Sequence, residues 1–375
     1  MTPAQRDWLA LGLVEGVGGR TVRALLERFG SVGALLDASP GSLRGVPGVG
    51  RELAERIARA REVPAVQIEQ RLIAEHGIDL ITPEGPEFPA LLREIYAPPP
   101  LLYRRGPASL NDGLFLAVVG TRNCTRTGEK ATRRLVADLA ALAPHLVIVS
   151  GLARGIDTAA HEAALEAGLT TVAVMAGGLA DVYPRENRAL AARIAGNGAL
   201  ITEFYMTQRP LARNFPIRNR IISGISAGVL VVEAGDKSGA IITAGFALNH
   251  NREVFAVPGN IDLPSFRGTN RLIQKGQAKL VRDAADILEE LPGFRRPQPV
   301  QLDWLDPARS ETGAPPKQYD EDKRLVLETL QKGPLHADDL ADETGIPIEK
   351  LLGSLLELEL SGDICQTEDN LYGLP

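Results

Sequence analysis

The sequence predicts an α/β protein built on a doubly wound, mostly parallel sheet, with a helical domain before it and a winged helix after it. Three observations carry that expectation. Between residues 115 and 275, short β-branched apolar runs alternate with helical segments, the order produced by crossover helices between parallel strands. The strand runs are apolar throughout, as expected of a sheet covered on both faces. The flanks differ from this middle: glycine-punctuated helical segments precede residue 62, and an acidic three-helix pattern follows residue 320.

Residues 7–62 contain two related turns, Val14-Glu15-Gly16-Val17-Gly18 and Val46-Pro47-Gly48-Val49-Gly50, each leading into a helical pattern. This looks like a helix-hairpin-helix (SAM-like) pair, assigned to residues 1–75, with Leu43 to Ala60 the better copy. Glycines in such a turn let the backbone approach a phosphate. A small domain that merely packs on the core fits the same residues equally well. A connector follows with Pro83, Pro86, Pro89 and the run Pro98-Pro99-Pro100. Its extended backbone places a boundary near residue 110, within a core assigned as a whole to residues 76–291.

Six strands are expected there: Phe115 to Gly120, Leu146 to Ser150, Thr171 to Met175, Ala199 to Thr202, Val229 to Glu233 and Val254 to Val257. Helices are expected at Thr127 to Leu142, Asp157 to Ala167, Asn187 to Ala195, Ile217 to Ser223, Ala240 to Asn249 and Asn270 to Lys275. Together they make an extended Rossmann-like core. Residues 292–319, with six prolines and no sustained period, read as a linker. In residues 320–375, helices at Asp322 to Gln331, Ala337 to Glu343 and Pro347 to Leu360 and a strand pair around Asp363 to Tyr372 suggest a winged helix.

Length and composition fit this modular plan. The chain has 375 residues, 44% hydrophobic and 23% charged, close to the average for globular proteins. No apolar run is long enough to span a membrane and the first residues are unlike a signal peptide, so a cytoplasmic location is expected. Cys124 and Cys365, far apart in sequence, support neither a disulfide framework nor a thiolate zinc site. The net charge of −6 is unevenly spread: residues 320–375 hold 14 acids and 4 bases, leaving the rest of the chain at +4. Phosphate binding needs only a local basic path, so overall acidity does not exclude nucleic acid.

In open parallel sheets, ligands sit beyond the carboxyl ends of the strands. After the first strand comes Gly120-Thr121-Arg122-Asn123, where a glycine turn sets an arginine beside helix amides, suited to a phosphate oxygen. The three spaced glycines and the acid of a dinucleotide site are missing. The second strand runs into Ser150-Gly151-Leu152-Ala153-Arg154-Gly155-Ile156-Asp157 and His161. With no third ligand spaced to join them, Asp157 and His161 read as a cap and a helix contact rather than a metal or acid-base pair. The segment after the third strand offers Arg185. The fourth strand ends at Glu203 and a loop leads to Arg213-Asn214-Phe215-Pro216-Ile217-Arg218-Asn219-Arg220: cations for phosphates and a ring for base stacking. At least one of these arginines is expected to pair with Glu203 or Glu233. The fifth strand opens into Glu233-Ala234-Gly235-Asp236-Lys237-Ser238-Gly239, where Lys237 and the Ser238 and Gly239 amides form a candidate anion nest. The Gly-Lys-Ser/Thr ending of a P-loop is absent.

Taken together, Gly120-Thr121-Arg122, Ser150 to Asp157, Phe215-Pro216-Ile217-Arg218-Asn219-Arg220, Ser238-Gly239-Ala240-Ile241-Ile242-Thr243-Ala244 and Val257-Pro258-Gly259 resemble the DprA family over about residues 80–285. The resemblance implies a non-enzymatic protein that binds single-stranded DNA in a basic pocket, forms homodimers through the core and helps load RecA during natural transformation and recombination. It also implies that Arg122 lies in the pocket, that Arg185 is the basic residue after Tyr-Pro, and that Phe215, Arg218 and Arg220 belong to the site. The residues expected to bind DNA are thus Gly120, Thr121, Arg122, Arg154, Arg185, Arg213, Phe215, Arg218, Arg220, Lys237, Ser238 and Gly239, with no catalytic residue, metal or cofactor.

Two rivals remain at this stage. The core also resembles nucleotide phosphoribohydrolases, whose Pro-Gly-Gly-x-Gly-Thr-x-x-Glu segment carries the catalytic glutamate; in the comparable place, Ser238 to Ala244, no acid follows within a helical turn. A scaffold with purely structural arginines would show no DNA affinity. In the winged helix, Glu349, Glu357 and Glu359 against Lys350 favour contact with protein over phosphate.

Overall fold

The computed structural model describes residues 1–292, 319–366 and 371–374. The chain divides into a unit Met1–Arg296 and a unit Pro297–Pro375. The linker expected at 292–319 falls, apart from its two end residues, outside the described residues.

The larger unit is built on nine strands: β1 (Asp79–Ile81), β2 (Leu102–Arg105), β3 (Leu114–Val119), β4 (Leu146–Ser150), β5 (Thr170–Val174), β6 (Ala199–Thr202), β7 (Gly228–Val231), β8 (Glu253–Ala256) and β9 (Lys279–Leu280). Their order is β1-β2-β6-β5-β4-β3-β7-β8-β9. From β6 to β9 all neighbours pair parallel, whereas β2 runs antiparallel to β6 and β1 antiparallel to β2. The chain leaves β3 toward β4 and leaves β7 toward β8, in opposite directions, so the carboxyl ends of β3 and β7 flank the topological switch point. Helices Arg126–Leu142 and Ile156–Glu166 contribute to the core on one face. Helices Asn214–Gly224 and Gly239–Asn249 contribute to the other.

All six strands expected from sequence are present, displaced by no more than two residues at either end. The boundary expected near residue 110 is not: the sheet begins at Asp79, and the proline-rich connector carries its antiparallel edge. β1 and β2 are short, and Arg104 in β2 interrupts the apolar run while pairing at 2.8 Å with Asp79 and 2.9 Å with Glu87. Strands of this length make no periodic signal against so many prolines.

The amino-terminal helices share one apolar core with the sheet: Trp8, Leu25, Leu43 and Ile57 belong to the cluster that includes Leu101, Tyr103, Met175 and Met206. Glu69 adds a polar tie, accepting from the Met206 amide at 2.5 Å. Both expected hairpin turns form, with Gly16 at φ 94° and Gly48 at φ 82°, conformations glycine adopts without a Cβ penalty. Each precedes a helix, Gly19–Phe29 and Arg51–Ala58.

The smaller unit is a winged helix of helices Glu321–Leu330, Ala337–Thr344 and Ile348–Leu360 and strands β10 (Leu335–His336), β11 (Cys365–Gln366) and β12 (Leu371–Gly373) in the order β10-β12-β11. Val326, Leu330, Leu340, Leu351 and Leu355 fill its core. On the third helix, Lys350 pairs with Asp322 and Glu357 with Lys323.

Candidate nucleic-acid interface

Where β3 ends, Gly120 passes between the Ile156 side chain and the Glu233 carbonyl in a space a Cβ would overlap. The Thr121 amide then donates to the Glu233 carbonyl at 2.7 Å. The Glu233 carboxylate, fully buried, accepts from the Thr125 amide and hydroxyl, each at 3.0 Å, and Thr125 in turn caps helix Arg126–Leu142 through the Gly128 amide. Glu233 therefore fixes both ends of the loop that displays Arg122. It pairs with no arginine among the described residues.

The loop after β4 is fixed as firmly. Asp157 accepts from the Gly151 and Ala153 amides at 3.1 and 3.4 Å, while the Asn187 amide group donates to the Leu152 carbonyl at 3.0 Å. Leu152 is held at φ 55°, a left-handed conformation unusual for a bulky residue and common where a loop serves a site. His161 bonds through Nδ1 to the Thr171 hydroxyl at 2.7 Å. Burial, with the nearby Arg218 charge adding to it, pushes its pKa down from 6.5 to about 3. Both are structural, as the sequence suggested, but Asp157 holds amides of the preceding loop and does not cap helix Ile156–Glu166, whose cap position is Gly155 with no side-chain bond.

Phe215 is the centre of the cluster. The Arg122 guanidinium lies 4.6 Å from its ring centroid and that of Arg218 5.9 Å; Tyr183 meets it edge to face at 6.3 Å. Such cation–ring and ring–ring contacts order the side chains around the half-buried Phe215 ring. Asn214 secures the start of this helix by donating to the Ala176 carbonyl at 3.1 Å. Arg218 is 3% exposed and donates to the Val174 carbonyl at 2.6 Å. Burial lowers its pKa to about 10, with Asp157 opposing that shift and Arg122 adding to it, and burial also raises Asp157.

Two cavities meet at Arg122 and Phe215. The smaller, about 170 Å³, is lined by Arg154, Tyr183 and Pro210 as well. The larger groove, about 550 Å³, lies between the ends of β3 and β7 and is lined by Gly120, Thr121, Arg218, Lys237, Ser238 and Gly239 among others. Nine of the twelve residues expected to bind DNA therefore converge on one place.

The other three stand elsewhere. Arg185 and Arg213 are exposed but line neither cavity. Arg220 pairs with Glu203, their side chains 14% and 9% exposed, and donates to the Ala97 carbonyl at 2.8 Å. It is the expected arginine partner of Glu203, and the pairing removes it from the basic surface. Two further corrections concern named groups. Arg154 pairs with Glu186 on the surface, and the Ser238 amide closes a turn onto the Gly235 carbonyl at 3.0 Å while its hydroxyl caps Ala240. Of the nest, the Gly239 amide remains at the first helical position, where no partner exists within the helix. Sequence reasoning missed Tyr183, 48% exposed at the cavity wall. It stands two residues before Arg185 and marked that arginine's position without its own ring being weighed.

Residues 79–292 match the family described as DNA recombination-mediator protein A, starting at β1 and so including the antiparallel edge. The chain belongs to that family. A SAM-like helix-hairpin-helix tandem is matched at residues 9–62 and a DprA winged helix domain at residues 310–370. Protein Smf of Synechocystis is 33% identical over 98% of both chains. DNA processing protein DprA of Bacillus subtilis is 44% identical over 58% of this chain and 73% of that one. The X-ray structure of DprA from Streptococcus pneumoniae superposes with a TM-score of 0.69 at 33% identity, covering 79% of this chain and 100% of the other. A structure describing the single-stranded DNA binding mode of the Helicobacter pylori protein gives 0.51 at 30% identity, covering 56% and 93%. The central sheet of residues 79–292 is therefore what this chain shares with DNA recombination-mediator protein A, flanked by the separately matched helix-hairpin-helix tandem and winged helix domain.

Proposed function

We propose that the chain binds single-stranded DNA, indifferent to base order, in the groove between β3 and β7, and passes it to RecA during natural transformation and recombination. It acts by binding, without catalysis, as a cytoplasmic homodimer joined through the Rossmann-like core. The observation that carries this is the Arg122–Phe215 pair. Arg122 is exposed, has no ion pair among the described residues, and covers an aromatic ring at the junction of two cavities. A cation for phosphate beside a ring for a base is the elementary unit of sequence-tolerant strand binding. The single-stranded DNA binding named for the Helicobacter pylori relative supports the same reading. Helix Gly239–Asn249 carries no acid, so the catalytic glutamate of a phosphoribohydrolase has no counterpart there.

Fluorescence anisotropy of a labelled oligothymidine, with a matching duplex as competitor, tests this. Arg122→Ala is expected to weaken binding about 10- to 100-fold and to reduce the salt slope by about 0.7, with the melting temperature unchanged. Absence of binding by the unmodified chain, or equal competition by duplex, contradicts the proposal.

A further inference from the structure

We infer that the strand-binding surface continues beyond the groove onto a second base-stacking platform, Tyr96 of the connector with Arg20 of the first hairpin. This extends the single-strand reading above and rests on it. Tyr96 is 70% exposed, so its ring is accessible to a stacking base. The Arg20 guanidinium lies 5.9 Å from its ring centroid, repeating at a distance the cation–ring pairing of Arg122 with Phe215.

The platform is tied to its neighbours through named contacts. Arg23 donates to the Ile95 carbonyl at 2.9 Å. Gly19 packs flush on the Pro98 carbonyl, in a space that a Cβ would overlap. Arg220 donates to the Ala97 carbonyl at 2.8 Å from the helix that carries Phe215, five residues or about 7.5 Å further along its axis. Through Ala97, the segment that carries Tyr96 is thus held to the same helix as Phe215. Such a platform gives a use to one feature that the groove alone does not explain: the first hairpin places its arginine beside a tyrosine ring. An exposed aromatic with a cation beside it suits a nucleobase and its phosphate, of any sequence.

The test compares two labelled oligothymidines on the full chain, one of about 6 nucleotides that fills the groove and one of about 20 that can reach further. Tyr96→Ala is expected to weaken the longer oligonucleotide about 5- to 100-fold and to leave the shorter one unchanged. Arg20→Ala should act in the same direction, and Tyr96→Phe should restore binding because stacking needs the ring and not the hydroxyl. No loss on the longer strand, or equal loss on both lengths, overturns the extension while leaving the groove intact. Failure of the unmodified chain to bind either oligonucleotide overturns the single-strand reading and the extension with it.

Discussion

Arg122, in the loop after β3, and Arg220, within helix Asn214–Gly224, are both expected from sequence to be part of the basic site, yet their surroundings give them opposite parts. Arg220 and Glu203 are withdrawn from water together, so Arg220→Ala leaves a buried carboxylate without its partner. The expected cost is about 3–5 kcal/mol, read as a shift in the urea midpoint, and adding Glu203→Gln should recover part of it. Neighbouring residue types announce a basic cluster but not which member faces a carboxylate; that depends on a pairing across 17 positions. His161 gives a second prediction. Its folded-state pKa lies near 3, below the 6.5 of an unperturbed ring, because burial and the Arg218 charge oppose protonation. The neutral ring's contribution is therefore intact above about pH 6.5 and is lost as the pH falls toward 3, by about 1.4 kcal/mol per pH unit from this one group. Urea unfolding at a series of pH values should show a shallower acid slope for His161→Gln than for the unmodified chain.

At the level of elements, the six parallel strands β3 to β8 were legible because each is a mostly apolar run of four or more residues. The edge strands β1 and β9, of three and two residues, were not, since pairing with a neighbour and not composition makes them strands. The clamp formed by Glu233 was equally hidden: sequence places an acid at the end of β7, and the fold turns it onto Thr125, the cap of crossover helix Arg126–Leu142 that follows the neighbouring strand β3. Gly128 lies so close to that carboxylate that a methyl group would overlap it. Gly128→Ala is accordingly expected to destabilise by about 1–3 kcal/mol and to weaken strand binding through the displaced Arg122 loop, measured by thermal melting and anisotropy together. A normal melting temperature with normal binding would show that the loop tolerates displacement of Glu233.

For the whole molecule, charge and cores are partitioned differently from one another. The acid excess of residues 320–375 falls within the smaller unit, Pro297–Pro375. The union of the helical hairpins with the sheet was not legible in composition, because it depends on contacts such as Glu69 to Met206 across 137 positions and on apolar residues that any small domain would contain. The winged helix presents Ile348, Leu352 and Leu356 to solvent beside Glu349, a surface poorly suited to phosphate; deleting residues 320–375 is expected to leave oligothymidine affinity within about twofold or to raise it, as anisotropy would show. All of this turns on where a strand lies. Photocrosslinking of an oligonucleotide carrying 5-iodouracil, followed by mass spectrometry of the attached peptides, locates it most directly. Attachment at Phe215 or Tyr183, suppressed by excess unlabelled single strand and not by duplex, is the expected result; attachment confined to the winged helix, with the β3–β7 groove unlabelled, would contradict it.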